Sequence, residues 1–165
     1  MPKIVLVLAL FISVAVTKIA NIDDIKSKFQ KIHTKEKSYS KKEKEIDDIS
    51  TEGAQATYFY DKNNLKLIKV DIYGEMGKEE QDYYFDNGKV FFIYTKEISY
   101  NAPMYVKAFS KKLSKTKTKR LHFINGHLAK LLVNGKEIAK NSASFRYEEK
   151  KSLHLVKKLL YIAKR

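Results

Sequence analysis

The chain has 165 residues, no cysteine and a formal net charge of +14. That length suits one domain that buries a core without metal or disulfide support. The lack of cysteine excludes disulfides, thiolate catalysis, zinc–thiolate sites and a lipoprotein anchor together. Thirty lysines stand against three arginines. A surface of this kind favours anionic partners, and it equally serves plain solubility. The lysine bias argues against a dedicated phosphate site, where the planar arginine fork is preferred.

Residues 1–17 read MPKIVLVLALFISVAVT. Lys3 supplies a basic flank, and residues 4–16 form an apolar run broken only by Ser13. The run is shorter than the roughly 20 residues of a membrane span and suits a secretory leader. Small residues at Ser13 and Ala15 place cleavage after Ala15, with Thr17 as the rival site and residue 20 as the latest. The expected organisation is a signal peptide over residues 1–15, a helix and charged linker over 16–50, and an α+β domain over 51–165. The product is expected to be exported and soluble, in the periplasm or the medium, with no transmembrane segment left after leader removal.

Residues 21–33 have the pattern of an amphipathic helix. Ile22, Ile25, Phe29 and Ile32 share one face, Asn21 suits the N-cap, and Asp23 and Asp24 complement the helix dipole. Residues 34–50 are dense in charge and read as a linker, with a turn of helix as an option around 41–48. From residue 56 the apolar period becomes two, and three hairpins follow. Their strands are 56–60 with 65–73, 79–85 with 90–95, and 119–124 with 128–133. The last two turn at Asn87-Gly88 and Asn125-Gly126, the strongest short hairpin signal.

Counting outward from Asn87-Gly88 pairs Phe85 with Val90, Tyr84 with Phe91 and Tyr83 with Phe92. Around Asn125-Gly126 it pairs Phe123 with Leu128 and Leu121 with Lys130. Residues 114–118 read as an exposed basic loop. Residues 144–165 carry a broad apolar stripe with Ser142 or Ser144 as cap, the clearest helix in the chain. The expected fold is α+β: an antiparallel meander of about six strands, with the C-terminal helix covering one face, helped by the N-terminal helix.

Residues 98–136 contain no Asp or Glu. This window holds Lys107, Lys111, Lys112, Lys115, Lys117, Lys119 and Arg120, a candidate anion-binding surface. Eleven tyrosines accompany nine phenylalanines. Tyr84, Tyr94 and Tyr100 are candidates for a binding face, since a tyrosine offers both area and a hydroxyl; tyrosine is also simply a good strand former. His122 and His127 flank one turn and would face one side, but lack the third ligand a zinc site needs. Glu75, Glu79, Glu80 and Asp82 read as turn residues rather than as paired acids in a cleft. No nucleophile elbow, glycine-rich phosphate loop or nucleic-acid motif is present. The expectation is a non-catalytic binding domain without cofactor or metal. Its partner would be an unknown protein or an anionic surface or polymer, with nucleic acid disfavoured and an anionic lipid or polyanion as the alternative.

Several segments carry a resemblance: Ser50-Thr51-Glu52-Gly53, Tyr60-Asp61, Gly74-Glu75-Met76-Gly77-Lys78, Tyr83-Tyr84-Phe85-Asp86-Asn87-Gly88-Lys89, Tyr100-Asn101-Ala102-Pro103 and Phe123-x-Asn125-Gly126. Over residues 50–133 the chain resembles an uncharacterised family of small exported bacterial proteins, with no assigned activity. The Tyr-Phe-x-Asn-Gly-Lys hairpin is also similar to those of exported proteins and antitoxins built from repeated β-hairpins, which implies a binding role.

Overall fold

The computed structural model describes residues 21–165, so the expected leader and most of its cleavage window lie outside the described residues. The fold is α+β, with an antiparallel sheet and one helix at either end of the described chain. The sheet has eight strands in sequence order: β1 (Ser40–Glu45), β2 (Ala54–Asp61), β3 (Asn64–Gly74), β4 (Gly77–Asp86), β5 (Lys89–Ser99), β6 (Lys115–Ile124), β7 (His127–Val133) and β8 (Lys136–Glu137). Helix α1 spans Ile22–Lys35 and α2 spans Ala143–Ala163.

Eight strands replace the expected six because both ends of the sheet are made from polar sequence. The stretch read as a linker contains β1, Ser-Lys-Lys-Glu-Lys-Glu, which pairs along its whole length with β2. Its charged side chains remove the alternation that marks a strand, and they also deter further pairing at an exposed edge. The opposite edge is a two-residue strand, equally poor as a template. Residues 115–118, read as a loop, are the first part of β6 and pair with the far end of β5.

Both helices begin as their sequences dictate. Asn21 Oδ1 accepts from Asp24 N at 2.8 Å, and Ser142 Oγ accepts from Phe145 N at 3.2 Å. They pack on opposite faces, not on one. Beneath α2, Tyr58, Ile68, Val70, Tyr83, Phe85, Ile93, Leu121 and Leu131 meet Phe145, Val156 and Leu159. Beneath α1, Phe59, Leu67, Tyr84, Phe91 and Phe92 meet Ile25, Ile32 and Tyr39. Since neighbours along a strand point to opposite faces, Tyr83 and Tyr84 serve two different cores.

A shared irregularity corrects the register expected from the turns. In β2–β3, β4–β5 and β6–β7 the pairing skips one residue at the same offset from the turn: Lys66, Phe91 and Ala129. Tyr84 therefore faces Phe92, Tyr83 faces Ile93 and Leu121 faces Leu131, so Phe92 lies beneath α1 and Ile93 beneath α2. One extra residue shifts every later side chain to the other face and increases local twist. The first hairpin shares this geometry although Lys62-Asn63 stands where the others have Asn-Gly, with Lys62 at φ 57°. The hairpin repeat thus extends to three copies, more than the two visible in sequence.

Candidate functional site

The α2 face is the more closely covered of the two: the cavity left between α2 and the sheet holds only about 20 Å³. The α1 face is covered only in part, because α1 lies across β4 and β5 near the hairpin tips. Two ion pairs fix it there. Lys28 reaches Asp86 at 2.9 Å at one end of the β4–β5 hairpin, and Lys69 reaches Glu36 at 2.6 Å just past the helix. Beside the helix, over β4 to β7, runs a groove of about 630 Å³. One wall is the helix face Ile22, Lys26, Phe29 and His33. The floor is two transverse rows of the sheet.

The rows follow directly from the register. Tyr84 pairs with Phe92, and Phe92 with His122; one step along, Asp82 pairs with Tyr94, Tyr94 with Arg120, and Arg120 with Leu132. The first row is aromatic: Phe29 of α1 meets it edge to face, 5.0 Å from Tyr84 and 5.5 Å from Phe92, and within the row the rings are tilted, with Phe92 5.0 Å from His122. The second row supplies polar groups. A groove of this volume, mostly apolar with few convergent polar atoms, has the character of a small-molecule site. Comparable space beside α2 is lined by that helix alone, through Tyr147, Lys150, Lys151, Leu153, His154 and Lys157.

Three groups in the groove have unusual electrostatics. Asp82 is pushed up to about 6, chiefly by burial; Lys69 and the Tyr84 hydroxyl (3.5 Å away) pull it down less than burial lifts it, and Glu36 adds repulsion. His122 is lowered by burial, which outweighs a hydrogen bond to the Lys130 backbone that raises it; the Lys130 and Arg120 cations add to the lowering and Glu137 opposes it. Its Nδ1 is buried and has no hydrogen-bond partner. Arg120 is exposed and forms no ion pair among the described residues. Burial also raises the Tyr84 hydroxyl, so it stays protonated.

The ten residues singled out in the sequence part company here. Tyr84, Tyr94 and Arg120 meet in the groove, with Tyr84 buried in its floor rather than exposed. Tyr100 is a packing residue: its ring meets Phe109 at 5.4 Å and helps close the loop between β5 and β6. Lys107, Lys111, Lys112 and Lys115 are exposed on or just after that loop. Lys117 and Lys119 turn to the α2 side. Lys119 is 5% exposed, and its Nζ sits 2.6 Å from Glu97 and 2.7 Å from Glu148. Burial acts to lower its pKa, but the two carboxylates prevail and hold it raised. Lys119 therefore anchors α2 to the sheet and is not a surface contact. The acid-free window is continuous only in sequence; its strands deliver Lys117 and Lys119 to acids from elsewhere.

No family model, curated protein or solved structure matches the chain.

Asp82 and His122 were discounted in the sequence, one as a turn residue and one as an incomplete zinc ligand. Asp82 instead lies within β4, and His122 faces the groove while His127 reaches Glu149 of α2 at 3.8 Å. Among the described residues, no three His, Asp or Glu side chains gather as a metal site.

Proposed function

We propose that the protein is an exported, non-catalytic binding module whose ligand site is the groove between α1 and the sheet. The ligand class is a small molecule with an apolar or aromatic body and an anionic end. The observation that carries this reading is the pairing of an aromatic lining, Phe29 from the wall and Tyr84 and Phe92 from the floor, with Arg120 and the unpartnered His122 Nδ1 beside it. In a chain with thirty lysines, the arginine at the groove is the cation whose fork matches a carboxylate or sulfonate in two parallel bonds.

Binding is favoured over catalysis by spacing. Asp82 is on β4 and His122 on β6, two strands apart. Strand separation puts them roughly 10 Å from one another, beyond the reach of a shared proton transfer. Export rests on the leader pattern at residues 1–15.

The test uses anilinonaphthalene sulfonate, an aromatic anion, against its uncharged relative phenylnaphthylamine. The sulfonate is expected to bind at one site with enhanced fluorescence. Arg120→Ala is expected to weaken it by roughly ten- to a hundredfold, the range of a charge-assisted hydrogen bond. The neutral probe should be little affected and the thermal midpoint unchanged. Equal losses for both probes, or no loss for either, would refute the anion assignment.

A further inference from the structure

A second surface lies at the end of the sheet away from the Asn-Gly tips. Residues 74–77 turn β3 into β4, and residues 100–114 connect β5 to β6. The two segments touch. Tyr100 N donates to Met76 O at 2.8 Å, and the Tyr105 hydroxyl donates to the Glu75 carboxylate. The longer segment is organised around Asn101, whose side chain donates to Ala108 O at 2.8 Å and accepts from Ser110 N at 2.9 Å. This internal bonding gives the connection a defined shape although it lacks a strand or a long helix.

Its outward side chains are unlike those of an ordinary loop. Met76 is 50% exposed, Met104 59%, Tyr105 77% and Leu113 66%, with Tyr73 and Val106 exposed beside them. Large apolar side chains grouped on a surface mark a contact site. Lys107, Lys111, Lys112 and Lys115 are exposed around them and take part in no ion pair among the described residues. Glu75 is the only acid in the two segments, and its carboxylate is engaged by Tyr105.

We infer that this tip docks on an anionic lipid surface. Methionine and leucine enter the acyl boundary, tyrosine suits the headgroup level, and lysines reach lipid phosphates on flexible stems. Four lysines outnumber Glu75 and Glu52, the two carboxylates that act on Tyr105, and this excess of positive charge complements an anionic leaflet, whose attraction acts on each nearby lysine. Among the described residues no helix is long and apolar enough to cross a membrane, so the contact assigned here is peripheral. It uses none of the groove residues and stands independently of the groove's ligand.

The experiment is sedimentation of the exported protein, its N-terminus read by mass spectrometry, with vesicles of phosphatidylcholine alone or mixed with phosphatidylglycerol. Binding to the mixed vesicles, falling with salt, is expected. Lys111→Gln with Lys112→Gln should lower affinity roughly tenfold or more. Met104→Asp with Leu113→Asp should lower it comparably at unchanged thermal midpoint. In Met104→Trp, indole emission should shift to the blue on mixed vesicles. Heparin serves as the lipid-free polyanion. Equal retention of the Asp variant and its parent on mixed vesicles would overturn the proposal in favour of a plain polyanion site. Absence of binding to mixed vesicles at low salt would overturn it outright, as would an unshifted indole.

Discussion

The two faces of the sheet are built from the same strands and solve different problems. Beneath α2 the space left between helix and sheet is only about 20 Å³, and the polar residues there are paired: Lys119 with Glu97 and Glu148, the Tyr83 hydroxyl with Gln81, and the Tyr58 hydroxyl with Leu159 O at 3.2 Å. Beneath α1 the helix lies over Tyr84 and Phe92 and leaves a groove that takes in His122 at the end of that row, with its unpartnered Nδ1, and the neighbouring row with the unpaired Arg120. Buried polar groups are normally satisfied, because an unsatisfied one costs free energy. The closed face obeys that rule and the open face departs from it, which separates the face that holds the fold from the face available to a ligand.

The largest expected effect tests the closed face. Lys119→Met leaves Glu97 and Glu148 facing each other beneath α2, and should cost about 3–5 kcal/mol in urea unfolding. Binding of the aromatic anion by the molecules that remain folded should be unchanged. A loss below about 1 kcal/mol would mean that α2 is held by apolar packing alone.

A matched pair of truncations sharpens the comparison. Leu159→Ala, fully enclosed beneath α2, should cost about 4 kcal/mol; Ile25→Ala, at the groove's margin beneath α1, about 2 kcal/mol, since an open site relaxes more readily. Equal costs would show that the open face is as tightly packed as the closed one.

The smallest effect concerns Asp82, whose folded pKa of about 6 lies above the usual carboxylate range. A carboxylate raised on folding favours the folded state while protonated. Its contribution is present below about pH 4 and is lost as pH rises to about 6. Asp82→Asn should remove that slope and raise stability at pH 7 by about 1–2 kcal/mol. Glu80 and Glu97 are lowered, Glu80 chiefly by Lys78 and Glu97 by Lys119 against its own burial. Their stabilisation is lost at more acid pH, with the opposite sign, which leaves the Asp82 window distinct. An unchanged slope between pH 4 and 6 in Asp82→Asn would place Asp82 in solvent.

Local chemistry made much of the fold legible. Both capped helices follow from their first-turn residues and apolar spacing, and two of the hairpins from their Asn-Gly turns. Strand β1 escaped because six polar residues carry no period; they form a strand only because β2 offers an unpaired edge. Within the groove, Tyr84, Tyr94 and Arg120 were visible as residue types, while Asp82 and His122 were not, because nothing local distinguishes a strand residue facing a cleft from one facing water.

The sequence by itself determined the elements that nearest neighbours decide: caps, turns, alternation, and the basic and cysteine-free character of the whole. Tertiary structure alone decided which face each side chain serves. The bulges at Lys66, Phe91 and Ala129 move Phe92 and Ile93 to opposite cores, and the two helices divide between those cores. The physical reason is that a strand's side-chain period is two, so a single unpaired residue inverts all that follows, and the choice rests on what lies across the sheet.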